Sequence, residues 1–199
     1  RNLKLRKKYK KIKWTKPMKG PWIHQNIMET IQNIKLKKAI TGGRKVNESD
    51  GFCAVLPYYL HSQKISYVKK IIKSVANTKV SENFALAKLE IIKNAAEGKK
   101  DPIKFFIKIN NKKRYFKNVI INLKKIIKDI KKPHTQTVKK FGKACSYPGT
   151  FMGSIHAIIT SASYKSAVIK TIKAGGCNCS RANFTGAYFA ALKGVKSIP

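Results

Sequence analysis

The last third of the chain constrains the fold most, because helix-length apolar segments alternate there with glycine-containing turns. The segment "SYPGTFMGSIHAIIT" predicts a turn and a helix, "SYKSAVIKTIKA" predicts a second helix, and the turn at Gly175 and Gly176 starts a third. Small residues along the third helix predict close helix packing, and they are Ala182, Gly186, Ala187, Ala190 and Ala191. No segment shows a convincing period-2 alternation, so the sequence predicts an all-α fold.

Apolar residues at helical spacing also run through the first half of the chain. The first such set is Ile23, Ile27, Ile31 and Ile34, whose spacing predicts a helix that is ended by Gly42-Gly43. An acidic turn then leads into the apolar helix of "NESDGFCAVLPYYLHSQ", and residues 66–75 predict another helix. Ser81 is the predicted N-cap of a helix that Gly98 ends. The predicted buried face of that helix is Phe84, Leu86, Ala87, Leu89, Ile91 and Ile92.

Lysine alternates with isoleucine and phenylalanine between residues 99 and 142. This pattern predicts one amphipathic helix or two, with a break at Pro133 and a lysine-rich outer face. The residues predicted to be buried beneath that face are Phe105, Phe106, Ile120, Ile121 and Ile127. We therefore expect a basic extension over residues 1–22, followed by one helical domain over residues 23–199 that contains this divergent, lysine-rich segment.

The charge of the chain is strongly one-sided, with 44 Lys and Arg residues against 8 Asp and Glu residues and a formal net charge of +36. An A/T-rich genome would favour Lys, Ile and Asn, but it should favour Glu and Asp as well. The scarcity of acids therefore indicates a positive surface that a polyanion neutralises. Nucleic acid is the partner that we expect, and an anionic membrane or codon bias alone are the alternatives.

Two sets of residues are predicted to contact RNA. Cations of the extension can follow a phosphate backbone, while Tyr9 and Trp14 can stack on exposed bases. The cations of the extension are Arg1, Lys4, Arg6, Lys7, Lys8, Lys10, Lys11 and Lys13. Those of the lysine-rich segment are Lys112, Lys113, Arg114, Lys117, Lys124, Lys125 and Lys128. The alternative for the extension is a solvated tail whose aromatic residues anchor it to its own domain.

Several pieces of the chain, taken in order, carry a family pattern. They are "SDGFCAVLPYYL", "TKVSENFALAKLEIIKNAAEG", "YPGTFMGSIHAIITSASYKSAVIKTIKAGG" and the closing segment, and they cover residues 49–98 and 143–199. The closing pattern is held by Gly175, Gly176, Arg181, Gly186, Gly194, Ile198 and Pro199. Together these pieces resemble the ADP-ribosylglycohydrolase family, which is all-helical and includes some crystallins. The resemblance implies an ADP-ribosylglycohydrolase-like helical domain.

The resemblance also implies that the catalytic centre is degenerate. Members of this family hydrolyse bonds to ADP-ribose with Mg²⁺, which is held by carboxylates and a Thr from three loops, and Mg²⁺ prefers oxygen ligands. In this chain Cys177 stands where the acid of the family's Gly-Gly-Asp turn belongs, and Cys179 stands at a second acidic position found in many members. The N-terminal Gly-Asp loop is missing, which leaves Asp50 as a possible ligand. We therefore expect a pseudoenzyme without a metal or a cofactor.

Other chemistries are weaker alternatives. Cys177 and Cys179, together with Cys53 and Cys145, offer sulfur for a zinc or iron–sulfur site, but Cys-x-Cys matches the usual two-residue spacing poorly. A cysteine nucleophile needs a positioned base, and the four candidates are His24, His61, His134 and His156. His156 lies within an apolar helix, so we predict that it is a core residue hydrogen-bonded to the backbone. Binding of ADP-ribose phosphates by backbone N–H groups at the double-glycine turn stays open.

These features predict a non-catalytic structural RNA-binding protein, with ribosomal RNA and neighbouring ribosomal proteins as its partners. By analogy, its place is that of an accessory subunit of the mitochondrial ribosome in the matrix, with the cytoplasm as the alternative location. The alternative function is that of a residual ADP-ribosyl hydrolase or an ADP-ribose-binding protein. The four scattered cysteines favour a reducing compartment. No apolar stretch reaches the roughly 18 residues of a membrane span, and we expect no small-molecule substrate.

Overall fold

A computed structural model describes residues 23–62 and 64–199, and this part of the chain forms ten α-helices and two 3-10 helices. The basic extension over residues 1–22 and its predicted RNA contacts lie outside the described residues. Within the described ranges, extended structure is confined to two isolated bridges, Gly43 with Ala76 and Glu48 with Ser146. The all-α prediction is confirmed.

The α-helices follow one another with short connections. They are α1 (Gln25–Lys35), α2 (Asp50–His61), α3 (Ile65–Val75), α4 (Lys79–Ala96), α5 (Pro102–Asn110), α6 (Lys117–Lys128), α7 (His134–Phe141), α8 (Gly149–Ile159), α9 (Tyr164–Lys173) and α10 (Asn178–Lys193). The 3-10 helices cover Arg114–Phe116 and Val195–Ser197. None of these helices is both long enough and apolar enough to cross a membrane.

Helix α10 lies at the centre of the fold, where it packs against α4, α8 and α9. Its Phe184 ring meets Phe52 of α2 edge-on at 5.7 Å and stacks on Phe151 of α8 at 6.0 Å. Burying each such ring contributes about 1.5–3 kcal/mol relative to leaving it in water. The predicted close approach also occurs at Gly186, where a Cβ atom would lie 3.0 Å from the Tyr164 hydroxyl.

Helix α4 has the predicted buried face, and all six of its predicted core residues are buried. It ends at Ala96, and the predicted terminator Gly98 follows two residues later with a φ of 70°. The predicted N-cap is wrong. Thr78 caps the helix, because its extended backbone lets its Oγ1 accept the Ser81 N–H at 3.1 Å. Ser81 lies inside the first turn and donates instead to the Glu48 carbonyl at 3.1 Å.

Helix α1 forms as predicted but ends at Lys35, before the predicted end at Gly42-Gly43, and it is buried along a polar face. Thr30 donates to the Val75 carbonyl at 3.2 Å, and Asn33 donates to the Thr41 carbonyl at 2.8 Å. The helix therefore faces backbone acceptors, which need hydrogen-bonding side chains rather than apolar ones. Ile31 and Ile34 are 41% and 57% exposed.

The lysine-rich segment forms α5, the first 3-10 helix, α6 and α7, and so contains more elements than the one or two helices predicted. Helix α5 starts at Pro102 after Asp101, whose carboxylate accepts the Lys104 N–H at 3.0 Å. Helix α7 begins directly after Pro133. Phe106 and Ile120 are buried as predicted, and Phe105 and Ile127 are partly buried. Ile121 is 41% exposed, because it lies on the opposite side of α6 from the buried stripe.

Candidate functional site

The double-glycine turn that precedes α10 has a backbone that only glycine fits. Gly175 and Gly176 have φ values of 69° and 72°. A Cβ atom on Gly176 would lie 2.3 Å from the Lys143 carbonyl oxygen. The same carbonyl accepts the Cys177 N–H at 2.7 Å. The turn therefore holds Cys177 at the N-cap of α10 and Cys179 in its first turn.

A buried guanidinium supports this turn from inside the fold. Arg181 is fully buried and donates to the carbonyls of Lys143 and Gly175 and to Asn178 Oδ1. Burial lowers the pKa of Arg181, while the charges of Cys177 and Cys179 oppose that shift. The planar guanidinium has several N–H donors. It therefore links the turn, the start of α10 and the Lys143 carbonyl.

Two cysteines and a histidine lie close together beside the double-glycine turn. The Cys177 Sγ lies 3.5 Å from the Cys179 Sγ and 3.8 Å from His24 Nε2. The Ser180 hydroxyl is 3.0 Å from the Cys177 Sγ. His24 immediately precedes α1, and 153 residues separate it from Cys177. The fold therefore brings an imidazole nitrogen to the two thiols.

Carboxylates lie behind the histidine. Asp50, the first residue of α2, hydrogen-bonds His24 Nδ1 through Oδ1. Its Oδ2 is buried and has no hydrogen-bond partner among the described residues. Glu48 lies beside this pair, and it accepts the Asn26 N–H at 2.9 Å and the Cys145 thiol at 3.2 Å. With Nδ1 on Asp50, the imidazole presents Nε2 to the thiols.

The ionisation of these groups follows from their surroundings. Burial opposes the thiolate of Cys177, but hydrogen bonds from Ser180 and then from His24 outweigh burial and lower the pKa of that thiol. Burial raises the pKa of Cys179, and Cys177 raises it further. Burial also works against the His24 cation, yet the hydrogen bond and charge of Asp50 leave its pKa raised. Burial raises the pKa of Asp50.

The ligand atoms of Cys177, Cys179 and His24 do not suit Mg²⁺, the metal that the family resemblance implies. Two sulfurs and one imidazole nitrogen face one another, whereas Mg²⁺ requires an octahedral set of oxygens. The two nearby carboxylates, Glu48 and Asp50, are held by hydrogen bonds to their neighbours. No magnesium-dependent step can be derived from this arrangement.

The other predicted cysteines and histidines lie elsewhere. Cys145 is buried against Glu48, and Cys53 is an exposed residue of α2. His61 is exposed at the end of α2. His156 is the buried core residue that we predicted, with Nε2 3.4 Å from the Asp129 carbonyl, and it stacks on His134. The structure therefore brings two of the four cysteines together, with His24 as the added partner.

The predicted RNA contacts of the lysine-rich segment lie on the surface. All seven cations between Lys112 and Lys128 are exposed. On α6 the residues Lys117, Lys124, Lys125 and Lys128 share one face, with the exposed Ile121 among them. The opposite face is buried through Val119, Leu123 and Ile126. Their role in RNA binding stays a prediction.

Sequence reasoning missed His24 and Glu48 as members of the cluster. The sequence offers no motif for either, because the cluster joins the start of α1 to the start of α10 across almost the whole chain. It also missed Lys88, a fully buried lysine of α4. Lys88 stands in an apolar stretch of "ENFALAKLEII", and this isolated charge within a predicted buried face was the signal that could have identified it.

Comparison with known proteins gives a consistent relationship at low identity. No family model matches the chain. Crystallin J1A of Tripedalia cystophora is 29% identical over 197 residues, which cover 92% of this chain and 57% of that protein. Crystallin J1B of the same organism is 25% identical over 189 residues, with the same two coverages. The all-α chain is thus related to these two crystallins and spans little more than half of their length.

Proposed function

We propose that this protein is a non-catalytic structural protein, a degenerate member of the ADP-ribosylglycohydrolase family that binds RNA through a lysine-rich surface. The observation that carries the proposal is the outer face of α6. The four lysines of α6 lie on one exposed face of the helix. Three further exposed cations, Lys112, Lys113 and Arg114, lie just before the helix begins. Several cations on one face of a helix are suited to contact the phosphates of a nucleic-acid backbone.

The protein has no carboxylates to spare for these cations. All eight acidic residues lie in the described ranges, and each is already held by a hydrogen bond or an ion pair. Among the described residues, none of the seven cations from Lys112 to Lys128 forms an ion pair. Neutralisation must therefore come from outside the chain, and a nucleic-acid backbone supplies negative charge at the required density.

The non-catalytic part of the proposal rests on the cluster at α10. By the family resemblance, Cys177 and Cys179 stand in place of oxygen ligands for magnesium, and the grouping of these thiols with His24 does not suit that metal. Both relatives that were found are named as crystallins, which favours a structural role. Binding of ADP-ribose phosphates at the turn is less favoured. The N–H groups of Cys177 and Asn178, which a phosphate would need, already donate to the Lys143 and Gly176 carbonyls.

The assembly that we propose is a ribosome, with ribosomal RNA and ribosomal proteins as neighbours. A ribosome offers a dense polyanion that would neutralise an unpaired lysine face. We propose the mitochondrial particle in the matrix, by analogy with other folds that serve as accessory subunits.

The test is co-sedimentation of the tagged chain with ribosomal subunits from its own cells. We expect it to travel with one subunit and to be released by ribonuclease. Changing Lys117, Lys124, Lys125 and Lys128 together to Gln should weaken the association while circular dichroism stays unchanged. The matched control changes four exposed lysines elsewhere, Lys64, Lys69, Lys165 and Lys173, which removes the same charge. Equal losses in both variants, or no sedimentation with ribosomes, would overturn the proposal.

A further inference from the structure

We infer that His24, Cys177 and Cys179 form a zinc-binding site. Their ligand atoms all lie within 4.8 Å of one another, and they come from two separate parts of the chain. With a Zn–S distance of about 2.3 Å and a Zn–N distance of about 2.0 Å, tetrahedral angles place two sulfurs about 3.8 Å apart and a sulfur and a nitrogen about 3.5 Å apart. The observed separations of 3.5 Å between the sulfurs and 3.8 Å from the Cys177 Sγ to His24 Nε2 match these edges.

The surroundings of His24 are those of a metal ligand. In zinc sites the ligating histidine commonly donates its other ring N–H to a carboxylate, which fixes the tautomer and aims the free lone pair at the metal. Asp50 occupies that position on Nδ1. Its second oxygen, Oδ2, is buried without a partner among the described residues.

The turn that carries the two thiols is held in place by contacts from inside the fold. Arg181 is buried behind it, and its guanidinium ties three acceptors of the turn in place. A site of two thiolates and one imidazole suits zinc, since sulfur and imidazole select this metal over Mg²⁺ or Ca²⁺. Where the family resemblance implies oxygen ligands for Mg²⁺, this chain thus has sulfur and nitrogen ligands that suit zinc.

The sequence alone argued against this site, because Cys-x-Cys is an unusual spacing for zinc and no histidine lies nearby in the chain. The structure changes that assessment by supplying His24. Two other uses of the same atoms are a disulfide between the two cysteines and a Cys177 nucleophile activated by His24. Neither accounts for both thiols together with the oriented imidazole, because each uses only one pair of the three groups.

The experiment is a metal titration of the full chain, reduced and stripped with a chelator. With Co²⁺ as the probe, we expect one equivalent to give sulfur-to-cobalt charge-transfer absorption and the intense visible bands of tetrahedral coordination. Zn²⁺ should bleach both signals, and Mg²⁺ in excess should not. Bound Zn²⁺ should also protect Cys177 from alkylation. Absence of a stoichiometric cobalt spectrum, or retention of it in the Cys177→Ser/Cys179→Ser double variant, would overturn the inference.

Single variants then test each role. Cys177→Ser, Cys179→Ser and His24→Gln should each weaken zinc affinity by more than the roughly 10–100-fold expected for the supporting change Asp50→Asn. Cys53→Ser and His61→Gln are matched controls outside the site and should bind as the unchanged chain does. Rapid alkylation of Cys177 that requires His24 but ignores zinc would replace the inference with a nucleophilic cysteine. A Cys177–Cys179 disulfide that resists mild reductant and blocks metal would equally refute it.

Discussion

The Lys88 ammonium lies 4.8 Å from the centre of the Phe52 ring, and the rings of Tyr147 and Phe184 complete the enclosure at 5.0 and 5.4 Å. The side chain is fully buried, and its Nζ has no hydrogen-bond partner among the residues described. The negative faces of the rings replace part of its lost hydration. Burial nevertheless lowers the pKa of Lys88 to about 8, against the opposing charges of Cys53 and Asp50.

This relationship predicts that Lys88 destabilises the fold at neutral pH. The Lys88 amine binds its proton more tightly in the unfolded chain than in the folded chain. The free energy of unfolding should therefore rise as pH increases from about 8 to about 10.5. Lys88→Met should therefore be more stable by about 1–3 kcal/mol near pH 7, and the difference should shrink towards pH 10. Urea unfolding across this range measures it, with the exposed Lys69→Met as the control. A difference independent of pH would contradict the prediction.

The stacked histidines predict sensitivity to acid. His134 and His156 are 7% and 1% exposed, and their Nδ1 atoms lie 3.0 Å apart. Burial and then the charge of His156 lower the pKa of His134 to about 3, and burial lowers that of His156. An unfolded histidine takes up its proton near pH 6.5, so stability should fall progressively from about pH 6.5 to about pH 3. His134→Phe should make this fall shallower in thermal melts, whereas His61→Phe should leave its slope unchanged.

Arg181 predicts a coupling between the core and the cluster. Arg181→Lys keeps the charge, but a single ammonium cannot reach the three acceptors that the guanidinium holds. We expect a loss of about 3 kcal/mol in unfolding free energy, since hydrogen bonds to charged groups contribute about 1.5–3 kcal/mol each. Chemical denaturation measures the loss, with the exposed Arg44→Lys as the control. A variant as stable as the parent would show that the turn holds its shape without this contact.

RNA association should depend steeply on salt. If about six cations contact phosphates, the logarithm of the binding constant should fall with the logarithm of salt concentration at a slope of about −4 to −5. Fluorescence anisotropy with a short RNA measures the slope. Replacing the four lysines of the α6 face with Gln should make it shallower by about 3–4. A binding constant that does not change with salt concentration would mean that the positive charge does not contribute to RNA binding.

The sequence predicted correctly those helices that are buried through apolar side chains. Phe84, Leu89 and Ile92 are at helical spacing and lie in the core because α4 is covered by neighbouring helices. The orientation of α1 did not follow, because it depends on the backbone carbonyls of Thr41 and Val75, and no periodicity encodes those.

The same distinction applies to the candidate site. The closing motif drew attention to Cys177 and Cys179, since both lie in one short segment. It could not identify His24, because only the tertiary packing of α1 near the start of α10 brings the imidazole to the thiols. The outer face of α6 was predicted for its lysines, yet Ile121 was misplaced because it stands within that face.

The outward isoleucines of α1 give the net charge a second consequence, which concerns colloidal behaviour. Ile31 and Ile34 of this helix, and Ile23 just before it, leave apolar surface in contact with water, and such surface favours association between molecules. At low ionic strength the +36 charge keeps molecules apart. In about 1 M salt the Debye length shrinks to about 3 Å, and that repulsion disappears. The salt that frees the protein from a polyanion is therefore also the condition under which it is most prone to precipitate.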